Sequence, residues 1–184
     1  MTRVAAAVLA AGSGVRMGAP KAELVLDGVR LLDRAVTVAR AAGCAPVIAV
    51  VRPGVAVDDA VAVVNPEPER GMRSSLALAV EAAAGADALA VLLVDVPGVS
   101  TEAVRQVVAA WVPGRIAVAA YAGRRGHPTV MAPDLWRAAV ELAGPDQGAR
   151  AFLTAHPELV DDVTVPGDPA DLDTPDDLIR WRAP

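Results

Sequence analysis

Short runs of Val, Ile, Leu and Ala at residues 4–9, 47–51, 61–64, 88–94, 116–120 and 128–132 alternate with longer segments whose apolar residues recur at helical spacing. A strand that is apolar at nearly every position, instead of at every second one, needs cover on both faces. That is the condition of a strand in a parallel sheet between two layers of helices. Residues 31–42, 72–84, 101–111, 134–143 and 147–155 read as the covering helices, and a last one starts at Asp173 or Thr174 before Pro175 and runs to about Trp181. Turn chemistry punctuates them: Gly43 closes the first, Ser100 with Thr101 can cap the third, and Pro133 with Asp134 opens the fourth. The expected class is therefore α/β, a three-layer Rossmann-like fold with a mostly parallel sheet and helices on both faces.

The 184 residues show no internal repeat, linker or charge block, so one domain over 1–184 is expected. A formal net charge of -5 and 3% aromatic residues argue against the basic patches and stacking platforms of a nucleic-acid binder. The 54% apolar content and the aperiodic glycines and prolines exclude disordered and collagen-like classes. The single cysteine, Cys44, excludes an intramolecular disulfide. Arg3 followed by the apolar stretch from Val4 to Ala11 has the look of a secretory signal, but Gly12, Ser13, Gly14 and Arg16 interrupt it too early, which favours a buried first strand. No run approaches the roughly 20 apolar residues of a membrane span, and a soluble, cytoplasmic protein is expected.

The stretch Leu9-Ala10-Ala11-Gly12-Ser13-Gly14-Val15-Arg16-Met17-Gly18-Ala19-Pro20-Lys21 directly follows the first strand. Its glycines let the backbone turn and offer N–H groups to an anion, while Arg16 and Lys21 bring cations to phosphate oxygens. It is not a dinucleotide fingerprint, because Gly12, Gly14 and Gly18 are spaced one residue too widely and Pro20 opposes an immediate helix. Nor is it a P-loop, because Lys21 lacks both a preceding Gly and a following Ser or Thr.

The stretch resembles the L-A-A-G-x-G-x-R-M-G-x-x-K signature of the MobA-like nucleotidyltransferases, and most closely the molybdopterin cytidylyltransferases among them. The resemblance implies a nucleotidyltransferase (glycosyltransferase-A-like) fold and transfer of a nucleoside monophosphate to a phosphorylated acceptor, with release of pyrophosphate. It implies that Gly12, Ser13 and Gly14 wrap the triphosphate, that Leu9, Ala10 and Ala11 lie against the base, and that Arg16 and Lys21 are catalytic cations.

Magnesium-assisted phosphoryl transfer needs hard oxygen ligands, and Asp95 stands at the carboxyl end of the strongest apolar run, where open parallel sheets place ligands. It can also be an ordinary turn residue before Val96-Pro97-Gly98. Val94-Asp95-Val96-Pro97 resembles the family's G-D-x-P, with Val94 in place of Gly, and the resemblance makes Asp95 a catalytic metal ligand. Near the end, Asp171 and Asp173 alternate, and would point to one side if extended. Asp173 can equally be the N-cap of the last helix. Their segment resembles the family's D-x-D-T-P-E-D-L, which implies that both belong to the metal site, with Mg2+ or Mn2+ as the ion.

Asn65-Pro66 and Gly71-Met72-x-x-Ser75-Leu76 lie between a strand and a helix. They resemble the N-x-x-x-x-x-G-M-x-x-S-L motif bordering the nucleotide base, so Asn65, Gly71 and Ser75 are carried over as nucleotide-binding; Ser74 or Ser75 can otherwise be a helix-start residue. Gly126-His127-Pro128 and Asp146-Gln147-Gly148-Ala149-Arg150 resemble the family's acceptor-side G-H-P and G-D-x-G-A-R, with Pro145 inserted after Gly144. That assigns His127, Asp146 and Arg150 to the acceptor, although His127 can be structural and Arg150 can pair with a neighbouring carboxylate.

The expected reaction is transfer of CMP from CTP to molybdopterin. GTP or another nucleotide and a phosphorylated sugar or other cofactor precursor are the alternatives within the class. Outside it stand a non-catalytic nucleotide-binding partner of a molybdoenzyme and an NAD(P)-dependent oxidoreductase, the latter disfavoured by the glycine spacing. Neither nucleic acid nor membrane is an expected partner.

Overall fold

The computed structural model describes residues 2–182. Its strands are β1 (Val4–Ala10), β2 (Val25–Leu26), β3 (Val29–Arg30), β4 (Val47–Val51), β5 (Val61–Val64), β6 (Ala88–Leu93), β7 (Ile116–Tyr121), β8 (Arg124–Met131) and β9 (Val160–Thr164). The helices are α1 (Leu31–Ala41), α2 (Met72–Ala82), α3 (Thr101–Ala110), α4 (Pro133–Leu142), α5 (Arg150–Ala155) and α6 (Pro175–Arg182). Seven strands form one sheet in the order β5-β4-β1-β6-β8-β7-β9, while β2 and β3 pair separately as a small hairpin. Within the large sheet β8 runs antiparallel to both neighbours, and the other pairings are parallel.

Both faces of the sheet are covered, as the continuous apolar runs require. On one face Val4, Ala6 and Val8 of β1 share a core with Leu31, Leu32 and Val36 of α1 and with Val104 and Val107 of α3. On the other, Ala5, Ala7 and Leu9 join Leu76 and Val80 of α2, Trp136 of α4 and Phe152 of α5. Trp136 is the largest fully buried side chain, and its indole N–H donates to the Leu89 carbonyl at 2.8 Å, so its polar edge is satisfied inside the core.

The chain winds from β1 through β4 to β5 on one side, then returns through α2 to β6 on the other side of β1. At such a switch point the loops leaving adjacent strands diverge and open a crevice at their carboxyl ends. Leu9 pairs with Leu93, so the glycine-rich loop after β1 and the Asp95 turn after β6 leave the sheet side by side.

Several boundaries differ from expectation. β8 begins at Arg124, before Pro128, because Ala122 and Gly123 adopt positive φ of 48° and 82° and fold β7 back onto β8 in a tight hairpin. β9, Val-Asp-Asp-Val-Thr, was not expected; it is an edge strand whose Asp161 and Asp162 pair with Arg115 at 2.5 Å and Arg125 at 2.6 Å. Helix α5 starts at Arg150 instead of Gln147, since Gly148 has φ +51°. No helix among the described residues is long and apolar enough to cross a membrane.

Candidate active site

The loop after β1 does not feed a long helix. It makes two short 3-10 turns, Val15–Met17 and Lys21–Glu23, and α1 begins only at Leu31. Gly14 bends the chain with φ +61°, and a Cβ there would stand 1.9 Å from the Ala19 carbonyl oxygen, so no side chain fits. The second turn buries Ala22 completely and thereby fixes Lys21 at the mouth of the crevice.

Lys21 is the hub of the site. Its ammonium donates to Asp95 Oδ2 at 2.7 Å and also to Asp173 Oδ1. Burial disfavours the charged ammonium, but the hydrogen bonds and charges of Asp173 and Asp95 together outweigh it, and the Lys21 pKa stands above the ordinary lysine value. Arg16 reaches the same cluster, 3.7 Å from Asp173 Oδ2, with three quarters of its side chain in solvent. Residues from three distant parts of the chain thus converge on one point.

Asp173 is free to join this cluster because Thr174 caps α6. The Thr174 Oγ1 accepts the Asp177 N–H at 3.3 Å, and Asp177 Oδ2 accepts the N–H groups of Asp173 and Thr174 at 3.1 and 2.8 Å. This is a reciprocal capping box, and the Thr174 hydroxyl and these amides hold the Asp177 carboxyl below its ordinary value. Asp171 lies two residues earlier but is exposed and makes no ion pair among the described residues. The extended alternation expected of the two ends where the chain turns into the capping box.

A cavity of about 350 Å³ opens between the glycine loop and α2. Leu9, Ala11, Gly12 and Ser13 line one side, Gly71 and Ser75 the other, and Lys21 and Asp95 stand at its edge. Ala10 is buried within the sheet, and Gly14 serves the turn behind the loop. Asn65 is 1% exposed and lies behind the wall: its amide donates to Ser74 Oγ and Ser75 Oγ at 2.9 and 3.0 Å, and its carbonyl accepts the Glu67 N–H. It orients the serine instead of facing the cavity. Met72 of the Gly-Met motif also lines the space, as do Pro68 and Glu69, which the motif comparison did not single out; the Pro-Glu-Pro-Glu-Arg spacing between Asn65 and Gly71 marks the turn that carries these two.

The residues assigned to the acceptor separate. Asp146 lines the same cavity as the glycine loop. Arg150 is exposed at the first turn of α5, outside that cavity. His127 lies in β8, within electrostatic reach of Asp95, with Nδ1 3.1 Å from the Val91 carbonyl oxygen. Since a carbonyl only accepts, Nδ1 carries the proton, leaving Nε2 as an acceptor. Burial pushes the His127 pKa below the ordinary histidine value despite this hydrogen bond and the Asp95 charge, so the ring is neutral near pH 7.

The donor set at Asp95 and Asp173 fits a divalent cation. Two hard carboxylates already converge on one positive charge, the Lys21 ammonium. Among the described residues no third His, Cys, Asp or Glu completes a protein-only metal cage.

A mostly parallel sheet with a glycine loop, a basic hub and paired carboxylates at the carboxyl ends of its strands is the arrangement of a nucleotidyltransferase fold, and the comparisons agree. A nucleotidyl transferase from Methanothermobacter thermautotroptrophicus (Mth528) shares the fold with a TM-score of 0.83, at 22% identity over 99% of this chain and 97% of that one. Rv0371c from Mycobacterium tuberculosis H37Rv superposes with a TM-score of 0.83 at 28% identity, over 98% of each chain, and another structure of it is a complex with manganese. Nicotine blue oxidoreductase of Paenarthrobacter nicotinovorans is 35% identical, over 96% of this chain and 95% of that protein. The model of the MobA-like NTP transferase domain matches residues 6–160, and the chain belongs to that family, whose type is the MobA-like nucleotidyltransferase.

Proposed function

We propose that this protein transfers CMP from CTP to the terminal phosphate of molybdopterin, with a divalent cation and release of pyrophosphate. The observation that carries the proposal is the Lys21 ammonium shared by Asp95 and Asp173 at the mouth of the glycine-loop cavity.

The loop from Gly12 to Gly14 would hold the triphosphate by its backbone N–H groups. Lys21 and the exposed Arg16 would offset the negative charge that grows on the leaving pyrophosphate. Asp95 and Asp173 would hold Mg2+ or Mn2+, which when bound neutralises phosphate oxygens and keeps the reacting groups in line. An oxygen of the acceptor phosphate forms the new bond to the α-phosphorus as the bond to pyrophosphate breaks. That oxygen is already ionised, so no general base is needed, which suits a site whose nearest imidazole is neutral and committed to the Val91 carbonyl. His127 would serve as a hydrogen-bond acceptor for the incoming molecule. The test is transfer of label from α-phosphate-labelled CTP to molybdopterin. Wild type should transfer it and Asp95→Ala should not, with an unchanged circular dichroism spectrum; transfer by the variant would remove Asp95 from the reaction.

A second reading, an NAD(P)-dependent oxidoreductase, is kept because a relative at 35% identity is named an oxidoreductase. Against it stands the loop itself. In a dinucleotide fold the glycine turn opens directly onto a helix N-terminus that receives the pyrophosphate, whereas here two 3-10 turns intervene before α1. Oxidation of NADH or NADPH with a dye acceptor, abolished by changes in the Gly12 to Gly14 loop, would establish hydride transfer in place of nucleotidyl transfer.

A further inference from the structure

We infer that Asp146 and Ser75 form a base-reading pair that selects a nucleotide carrying an exocyclic amino group beside a ring acceptor. The inference rests on the nucleotide-binding function proposed above and moves Asp146 from the acceptor to the base.

Ser75 supplies a donor. Its Oγ accepts the Asn65 amide at 3.0 Å, yet its own proton has no acceptor among the described residues, although the residue is buried and lines the cavity. The neighbouring Ser74 differs, since its hydroxyl donates to the Gly71 carbonyl at 2.8 Å. A buried hydroxyl that accepts from Asn65 and finds no acceptor among the described residues has its proton to give to a ligand. The Asn65 amide occupies a lone pair of the Ser75 oxygen and leaves its proton as the group on offer.

Asp146 supplies an acceptor. Its carboxylate lines the same cavity and makes no hydrogen bond or ion pair among the described residues. Its position is built, not incidental. The Arg73 N–H donates to the Pro145 carbonyl at 3.0 Å, tying the loop to the first turn of α2. Gly71 lets the loop approach: a Cβ there would stand 2.5 Å from both Asp146 Oδ1 and the Pro145 oxygen. The proline inserted ahead of Asp146 therefore provides the carbonyl that docks the loop.

An ionised carboxylate only accepts, and a hydroxyl held by Asn65 has only its proton to give. The complementary ligand edge carries an amino donor next to an acceptor, as cytosine does with its 4-amino group and N3. Uracil presents a carbonyl oxygen at that place, which would face the carboxylate with no proton between them. Apolar Leu9, Ala11 and Met72 border the space left for the ring.

The test is calorimetric titration of wild type, Asp146→Asn and Ser75→Ala with magnesium and nucleotides matched in pairs: CTP against UTP, ATP against ITP, and GTP against ITP. In the pair containing the nucleotide that wild type binds most tightly, the amino-bearing member should bind at least about tenfold better, as expected when a polar site rejects an analogue that leaves it unpaired. Asp146→Asn presents an amide that can turn either face to the base, so it should erase that preference while leaving the thermal midpoint unchanged. Ser75→Ala should weaken both members. A preference that survives Asp146→Asn overturns the inference while leaving nucleotide binding intact. Failure of wild type to bind any nucleotide overturns the function on which it rests.

Discussion

Replacing Lys21 by Met keeps an unbranched apolar stem and removes the charge that Asp95 and Asp173 share. Two carboxylates then face one another, one 22% and the other 38% exposed, with nothing between them. A broken buried pair costs about 3–5 kcal/mol and an exposed one about 0–1 kcal/mol. Because water reaches both carboxylates here, the loss should lie between these limits, at about 2 kcal/mol. At about 2–4 °C per kcal/mol for a chain of this size, the metal-free variant should melt about 4–8 °C below wild type. Manganese should act in the opposite direction. With no ammonium competing for the two carboxylates, the variant should bind Mn2+ more tightly than wild type, and saturating Mn2+ should raise its midpoint by the larger amount. Differential scanning calorimetry with and without MnCl2, alongside Mn2+ binding by electron paramagnetic resonance, reads both effects. Equal midpoints in the absence of metal, together with equal shifts in its presence, would refute the shared-cation account.

Three further changes probe the surroundings of the site. Tyr121, the single tyrosine, donates to the His127 carbonyl at 2.5 Å and is pushed up to about 12 by burial. Its neutral form is favoured by folding, so this contribution to stability is complete below the unfolded value near 10 and is lost as pH rises towards 12; ultraviolet titration showing ionisation near 10 in the folded protein would contradict the burial. Asn65→Ala removes the amide that orients Ser75 and leaves buried polar groups unpaired, which should cost about 1–3 kcal/mol in urea unfolding and weaken nucleotide binding by calorimetry. Thr174→Ala removes the cap of α6 at a cost of about 1 kcal/mol and leaves Asp173 as the next available cap. Hydrogen exchange should then show faster opening of α6, and Mn2+ binding should weaken as Asp173 is drawn from the site.

Strands buried on both faces announce themselves, and β1, β4 and β6 were legible because no polar residue interrupts their apolar runs. β9 was not, since an edge strand needs only one covered face and here turns Asp161 and Asp162 to arginines on other elements. The β2–β3 hairpin was missed although Asp27-Gly28, at φ 52° and 80°, is a favoured hairpin turn. Lys21, Asp95 and Asp173 were each legible from local motifs, but only the fold shows that Lys21 bridges the two carboxylates. Asp171 and Asp173 looked equivalent because alternation assumes an extended chain, whereas the Thr174–Asp177 capping box turns it. That Asp146 lines the glycine-loop cavity was not legible, because nothing in its local sequence reveals the hydrogen bond between Arg73 and Pro145 that docks its loop against α2.

The central claim is tested most directly by pyrophosphate release with magnesium and CTP, GTP, ATP or UTP, each with and without molybdopterin. The expected result is release from CTP that requires both magnesium and molybdopterin and disappears in Asp95→Ala. No release from any nucleotide in the presence of molybdopterin, accompanied by oxidation of NADH or NADPH with a dye acceptor, would contradict it.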